Sequence, residues 1–310
     1  MLIKSPESQT NCVEPIQYYK AARDAFSTIL QNIDFSGNKA LLLPAYIGIT
    51  DREGSGVFDP VLQTKIPFSF YTLDKTLSAD KNELYNPIKS RKFRALLIIH
   101  YFGFCQNDMT AIYNLCKEYN MLLIEDCAHS MKSECSHGEL GFIGDFSIYS
   151  LHKILATNDG GYLRVNNKKF EYLLKQSPIT KPTPETLYLM SKSDLNTIRL
   201  KRRSNYLKML ELIGDISIIE IMFPKLPDGI TPHNFPIIVK GNKREELYFR
   251  LIENGVPVIA LYYRMINPIK DGDYSNAHYL SANILNFPIH QDIEVKDIKL
   301  IKKELLKSYG

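Results

Sequence analysis

Between Ala40 and Val165 the chain alternates short apolar runs with helical stretches, and this alternation limits the possible fold more than any other feature. Phe93 to Ile99 is apolar on both faces, as a central parallel strand covered on both sides has to be. A helix over Asp108–Tyr119 follows, opened by an Asp cap, and leads straight into a strand at Met121–Ile124. Ala40-Leu41-Leu42-Leu43, stopped by Pro44, is a buried strand, and Pro67–Tyr71 is another. Asn82–Ile88 reads as a short helix, and strands near Phe146–Tyr149 and Gly161–Val165 complete the series. Residues 15–33 are expected to form one helix, with Tyr18, Tyr19, Ala22, Phe26, Ile29 and Leu30 near one face. This pattern predicts an α/β fold whose mostly parallel sheet is flanked by helices.

After Asn167 the texture changes. Pro178, Pro182 and Pro184 mark a loop, and a helix over Leu195–Ile213 follows. Strands near Ile216–Ile221 and Phe235–Val239, a helix over Lys243–Asn254 stopped by Gly255, and a helix over Val295–Leu306 make up the rest. With 310 residues there is chain enough for a large domain over 1–190 and a small α+β domain over 191–310. The net charge of +4 is dispersed, apart from Arg199, Lys201, Arg202 and Arg203 on one helix, so no long basic stripe offers itself to a nucleic acid. These four are expected as a solvated helix face or a contact to an anionic substrate. Met1-Leu2-Ile3-Lys4-Ser5-Pro6 has no apolar run fit for a signal peptide, and the apolar stretches have strand length rather than membrane-spanning length. Five cysteines do not suggest a disulfide framework, so a cytoplasmic location is expected.

The chemistry concentrates in one block. Ile124-Glu125-Asp126-Cys127-Ala128-His129 ends an apolar strand on carboxylates. Ser150-Leu151-His152-Lys153 then places a serine three residues before a lysine, and Asp159-Gly160-Gly161 makes a turn. Pyridoxal phosphate (PLP) needs an amine for its aldehyde, an anion for its ring nitrogen, and hydroxyl and backbone donors for its phosphate. This block supplies all three in order. The bland alternatives are a surface lysine for Lys153 and a carboxylate capping a turn for Asp126, but between an apolar strand and a Gly-Gly turn Lys153 is read as catalytic. Only one of Glu125 and Asp126 can face such a ring, because successive strand residues point to opposite faces. Cys127-x-His129 and Cys135-x-His137 offer four soft ligands, but at a spacing unlike that of paired zinc ligands, and no metal site is expected.

The chain resembles the DegT–StrS family of PLP-dependent sugar aminotransferases. The resemblance rests on Leu43-Pro44-Ala45-Tyr46, Phe70-Tyr71-x-Leu73-Asp74 and His100-Tyr101-Phe102-Gly103. It continues through Glu125-Asp126-Cys127-Ala128-His129, Gly144-Asp145-Phe146-Ser147, Lys153 seven residues before Gly160, and Leu280-Ser281…Leu285…Pro288-x-His290. It implies the type I PLP fold, with a mostly parallel seven-stranded sheet in the large domain, and a homodimer. It assigns Lys153 to the cofactor aldehyde and Asp126 to the ring nitrogen. His129 becomes a contact of the ring or its phenolic oxygen, or else a structural histidine. Ser150 or Ser147 binds the phosphate. The helix start Ala21-Ala22-Arg23 stands where the family usually has a Ser-Gly pair, which leaves Ala22 backbone and the Arg23 charge for the phosphate. Gly48 stands where a stacking aromatic is usual, which leaves Tyr46 or Tyr101 for that role. The implied activity transfers an amino group from an amino acid, glutamate being expected, to a nucleotide-linked keto sugar, with no membrane or nucleic-acid partner. Other carbanion chemistry of a dehydratase kind and a non-catalytic family member are the competing expectations.

Overall fold

The computed structural model describes residues 15–37, 39–79, 81–136, 138–178, 180–259 and 261–307. The reading of Met1–Pro6 and the candidate ligand His137 lie outside them. The chain opens with β1 (Ile16–Tyr19) and α1 (Ala22–Asn32), then β2 (Ala40–Pro44), α2 (Phe58–Thr64), β3 (Phe68–Tyr71), α3 (Lys81–Lys89) and β4 (Phe93–Ile99). Next come α4 (Met109–Glu118), β5 (Leu122–Asp126), a small hairpin of β6 (Glu134–Cys135) and β7 (Gly138–Glu139), then β8 (Phe146–Ser150) and β9 (Gly161–Val165). The remainder comprises α5 (Pro184–Lys192), α6 (Leu195–Ile213), β10 (Ile219–Ile221), β11 (Asn234–Val239), α7 (Arg244–Glu253), α8 (Asn267–Lys270), α9 (Ser275–Asn283), β12 (Ile284–Pro288) and α10 (Val295–Leu306).

Seven strands form one sheet in the order β1-β9-β8-β5-β4-β2-β3. Only β9 runs against the others. The fold is therefore α/β with a mostly parallel seven-stranded sheet flanked by helices, as expected. The Asp108 cap is present, its side chain accepting from Ala111 N at 3.0 Å. A separate antiparallel sheet, β10-β11-β12, lies in the C-terminal part, where α6 packs on α10. Residue 190, where a boundary was expected, falls inside α5.

The expected helix over 15–33 is corrected. Its first part is β1, an edge strand paired with β9 (Tyr19 opposite Gly161), and the helix begins only at Ala22. Aromatic Tyr18 and Tyr19 suit a pleated edge, and the helical spacing of apolar residues from Ala22 onward belongs to α1 alone. The stretch called a loop around Pro184 is partly α5, with Pro184 in its first turn, where a missing N–H costs nothing.

The two faces of β5 and β8 do different work. Asp126 and Ile148 are register partners on one face, and Glu125 and Ser147 are partners on the other. Glu125 is fully buried, and its carboxylate accepts from Gly141 N at 2.9 Å, Ile143 N at 3.0 Å and Gly144 N at 2.6 Å. His100 Nε2 donates a further bond at 2.8 Å. Ser147 Oγ donates to Gly141 O and Tyr149 OH to Leu140 O, so that whole face holds the 138–144 loop.

Burial pushes the Glu125 carboxyl up, but the hydrogen bond and charge of His100, then the Gly144 and Gly141 N–H groups, outweigh it and hold the group below its ordinary 4.5. Glu125→Ala leaves these donors without an acceptor and should cost about 3–5 kcal/mol of unfolding free energy in urea titrations at pH 7. Because the native value is lowered, the stabilisation is full above 4.5 and is lost as the pH falls through the native value. The gap between wild type and variant should therefore narrow in acid. A gap below about 1 kcal/mol at pH 7 would show that the loop stands without this anchor.

Candidate active site

In an open parallel sheet, ligands bind beyond the carboxyl ends of the strands. A cavity of about 210 Å³ opens there, lined by Ile99, Asp126, Ile148 and Ser150 at the ends of β4, β5 and β8. The other walls are the start of α1 (Ala21–Arg23), the loop from Ile47 to Val57, Ala128 and His129, the turn residues His152 and Lys153, and Leu261–Tyr263. The structure thus brings Lys153, Asp126, His129, Ser150, Ala22 and Arg23 to one cavity.

Asp126 lies 6% exposed, and Oδ1 accepts from Ala128 N at 2.9 Å. Burial pushes its carboxyl above the ordinary value, opposed by the Ala128 N–H and by the charges of His100 and Lys153. Lys153 sits in a 3-10 turn after β8 (Leu151–Lys153). Burial holds its amine below the ordinary 10.5, while Glu53 and Asp126 pull it back up. Ser150 Oγ lies 3.2 Å from His152 Nδ1. His129 Nδ1 accepts from Phe102 N at 3.4 Å, and its ring stacks on His233 at 4.4 Å between centroids. Burial, followed by the charges of Lys153, His152 and Arg202, keeps His129 well below the usual histidine value, so it is neutral with its proton on Nε2.

The helix start reaches the cavity because Gly161 lets it. A Cβ on Gly161 would stand 2.4 Å from Ala22 N and 2.7 Å from Ala21 C. The close seat puts the free N–H end of α1 beside the end of β8. Arg23 lines the cavity but is already engaged, donating to Glu53 O at 2.8 Å and lying 3.7 Å from Asp59.

Three candidates are not brought to this cavity. Ser147 lies on the opposite sheet face, bound to Gly141 O. Tyr46 is buried behind Tyr262, their rings stacked at 5.2 Å, and Tyr101 lies edge-on to Tyr262 at 5.5 Å. The aromatic wall is Tyr262 itself, held at φ 62. Gly48 makes room for it, since a Cβ there would lie 3.1 Å from Tyr262 Cδ1. No sequence pattern marked Tyr262, which lies far along the chain from Gly48, though the missing aromatic at position 48 was a sign that another ring must serve. Cys127 is buried against Met131, Leu140 and Tyr149 rather than facing His129 across a ligand site. His100, Glu125 and Cys127 bring ligand atoms within 4.8 Å of one another, but the Glu125 oxygens are already taken by N–H donors.

Residues 60–176 match the DegT/DnrJ/EryC1/StrS aminotransferase family. The resemblance read from the sequence is borne out. The chain is 28% identical over 242 residues to a UDP-4-amino-4,6-dideoxy-N-acetyl-beta-L-altrosamine transaminase of Campylobacter jejuni, covering 66% of this chain and 63% of that protein. It is 39% identical over 152 residues to a dTDP-4-dehydro-2,3,6-trideoxy-D-glucose 4-aminotransferase of Saccharopolyspora spinosa, covering 48% and 37%. Neither match reaches two thirds of the relative's length. Among solved structures, a Helicobacter pylori aminotransferase involved in the biosynthesis of pseudoaminic acid superposes with a TM-score of 0.80 at 16% identity, over 95% of this chain and 86% of that one. An aminotransferase of this family from Brucella abortus gives 0.78 at 16% identity, over 95% and 86%.

The lowered Lys153 value has a direct consequence. Brief treatment with formaldehyde and cyanoborohydride at pH 7, followed by peptide mapping, should find Lys153 methylated ahead of exposed Lys168 and Lys169. Its lead should shrink as the pH rises toward 10.5, where ordinary lysines also lose their proton. Labelling of Lys153 no faster than the others at pH 7 would count against a lowered value.

Proposed function

We propose that the protein is a PLP-dependent aminotransferase that moves an amino group from an amino acid, glutamate by expectation, to a nucleotide-linked keto sugar. The observation carrying this reading is that a lysine amine, a buried carboxylate, a serine hydroxyl and a free helix N-terminus line one cavity. That donor set fits the cofactor. Lys153 would hold its aldehyde carbon, Asp126 its ring nitrogen, and Ser150 with the N–H groups of Ala22 and Arg23 its phosphate. His129, neutral with a proton on Nε2, would donate to the phenolic oxygen. PLP supplies the electron sink for a carbanion at the substrate carbon. Once the substrate amine has displaced it, the Lys153 amine would take the proton from that carbon and pass it to the carbon it had held, a role that suits an amine whose value is lowered. Leu261 and Tyr262 line the cavity from the C-terminal half, where they would help keep water from the reacting carbon.

The names of the relatives support a sugar carried on a nucleotide as amino acceptor. A dehydratase is also among the similar folds, at a TM-score of 0.72, 17% identity and 94% and 88% coverage. In the dehydratases of this resemblance a histidine replaces the lysine, and Lys153 stands against that branch. A division near residue 190 and a homodimer belong to the same proposal.

Borohydride reduction of the PLP-loaded protein and peptide mapping should place the pyridoxyl group on Lys153. Lys153→Ala should lose at least about a hundredfold in amino transfer. A label on another lysine, or full activity in the variant, would overturn the assignment. Light scattering should give twice the 35.6 kDa chain mass. A fully active monomer would contradict the dimer.

A further inference from the structure

A cavity of about 360 Å³, separate from the one that holds Lys153, is lined by Cys105 from the turn after β4 and by Cys135 from β6 of the small hairpin. Both are half-buried free thiols. They are neighbours in the fold, since Cys135 acts on the Cys105 thiol through charge and a hydrogen bond. Both also pack on one small apolar cluster that includes Met131 and Leu140. Cys105 Sγ donates to Asn107 O at 3.3 Å. Burial, and then Cys135, push its thiol up to about 12, so it keeps its proton at neutral pH. Cys135 stands on a two-residue strand between exposed Glu134 and Ser136, the side from which solvent reaches the pair. Among the described residues neither thiol belongs to a group of three metal-ligating side chains. Two adjacent thiols without further ligands suit two-electron oxidation rather than a tetrahedral metal.

The surroundings select the oxidant. Asp108, Glu134 and Asp228 line the same cavity and disfavour an anionic oxidant such as oxidised glutathione, whereas a small neutral peroxide is not repelled. The segments that carry the two thiols are already pressed together. Ser133 Oγ lies 2.8 Å from Gly103 O and 3.1 Å from Thr231 O, and Glu134 N donates to Gly229 O at 3.0 Å. A Cβ on Gly103 would stand 2.4 Å from Thr231 O, and one on Gly229 would stand 2.8 Å from Glu134 O. A bond between Cys105 and Cys135 therefore closes across chain segments that the fold holds in contact.

We propose that Cys105 and Cys135 are a redox-active dithiol that hydrogen peroxide converts to a disulfide. The Cys135 sulfur attacks one peroxide oxygen, the O–O bond breaks, and the thiol proton leaves with the departing hydroxide as water, giving a sulfenic acid. The Cys105 sulfur then displaces the hydroxyl from Cys135, and its own proton leaves with that hydroxyl as a second water. Two thiols give up two electrons and two protons, and the peroxide is reduced to two waters. A thiol with a high value is a poor leaving group, so the bridge is slow to be reduced once made.

The test treats the folded full-length chain with hydrogen peroxide near neutral pH, denatures it in iodoacetamide and maps the peptides without reduction. Peptides joined through Cys105 and Cys135 are expected, and dithiothreitol should separate them, while buried Cys116 and Cys127 carry the alkyl group. The bridge closes a loop of about thirty residues and should raise the thermal midpoint by roughly 5–10 °C. Cys135→Ser should form no bridge and show no rise with peroxide. A bridge to Cys12 or any other cysteine, sulfinic acid on Cys135 without a bridge, or two unmodified thiols after peroxide has oxidised exposed methionine overturns the proposal. So does a Cys105–Cys135 bridge that forms only after the protein has been unfolded.

Discussion

The buried Glu125 carboxylate is the interaction on which the placement of the site depends. It is encircled by the Gly141, Ile143 and Gly144 N–H groups and by His100, so it ties the 138–144 loop to the centre of the sheet. β5 is thereby fixed between β4 and β8 with one face committed to structure. Because the strand repeat is two residues, committing Glu125 inward on one face obliges Asp126 to stand on the other, at the strand end where a ligand can reach it. The same alternation separates Ser147, which serves the loop, from Ser150, which lines the cavity.

Much of this was legible in the chain. The apolar run Phe93–Ile99 and the alternation around it define a parallel sheet because burial on both faces leaves little choice of residue. Helices α6 and α10 begin and end where expected. The edge strand β1 was not legible, since four residues running into a helix carry too short a pattern to be told apart from its first turn. Within the site, Lys153, Asp126 and Ser150 could be found because they lie close together in sequence. Tyr262 and Glu53 could not, since only the folded chain brings them to the strand ends.

The substitutions that set this chain apart from the usual pattern are linked in space. Gly48 is small where an aromatic is common, and Tyr262 fills the vacated volume from the opposite wall. Tyr262 in turn stacks on Tyr46 and meets Tyr101 and Phe102 edge-on, so its ring is held by an aromatic cluster rather than by one contact. Arg23 shows a similar reassignment. Its guanidinium spans Glu53 O and Asp59, which fastens the loop carrying Gly48 to the start of α1.

Arg202, buried rather than solvated, has a mechanical role. Its two terminal nitrogens clasp the carbonyl of Lys153, in the turn beyond β8, and that of His233, at the head of β11 in the smaller sheet. One planar group therefore works as a strut between the two sheets, and its far end is the peptide of Lys153. Any tilt of the three-stranded sheet would be transmitted first to the backbone at Lys153, so the pose of the amine is geared to the posture of the C-terminal half.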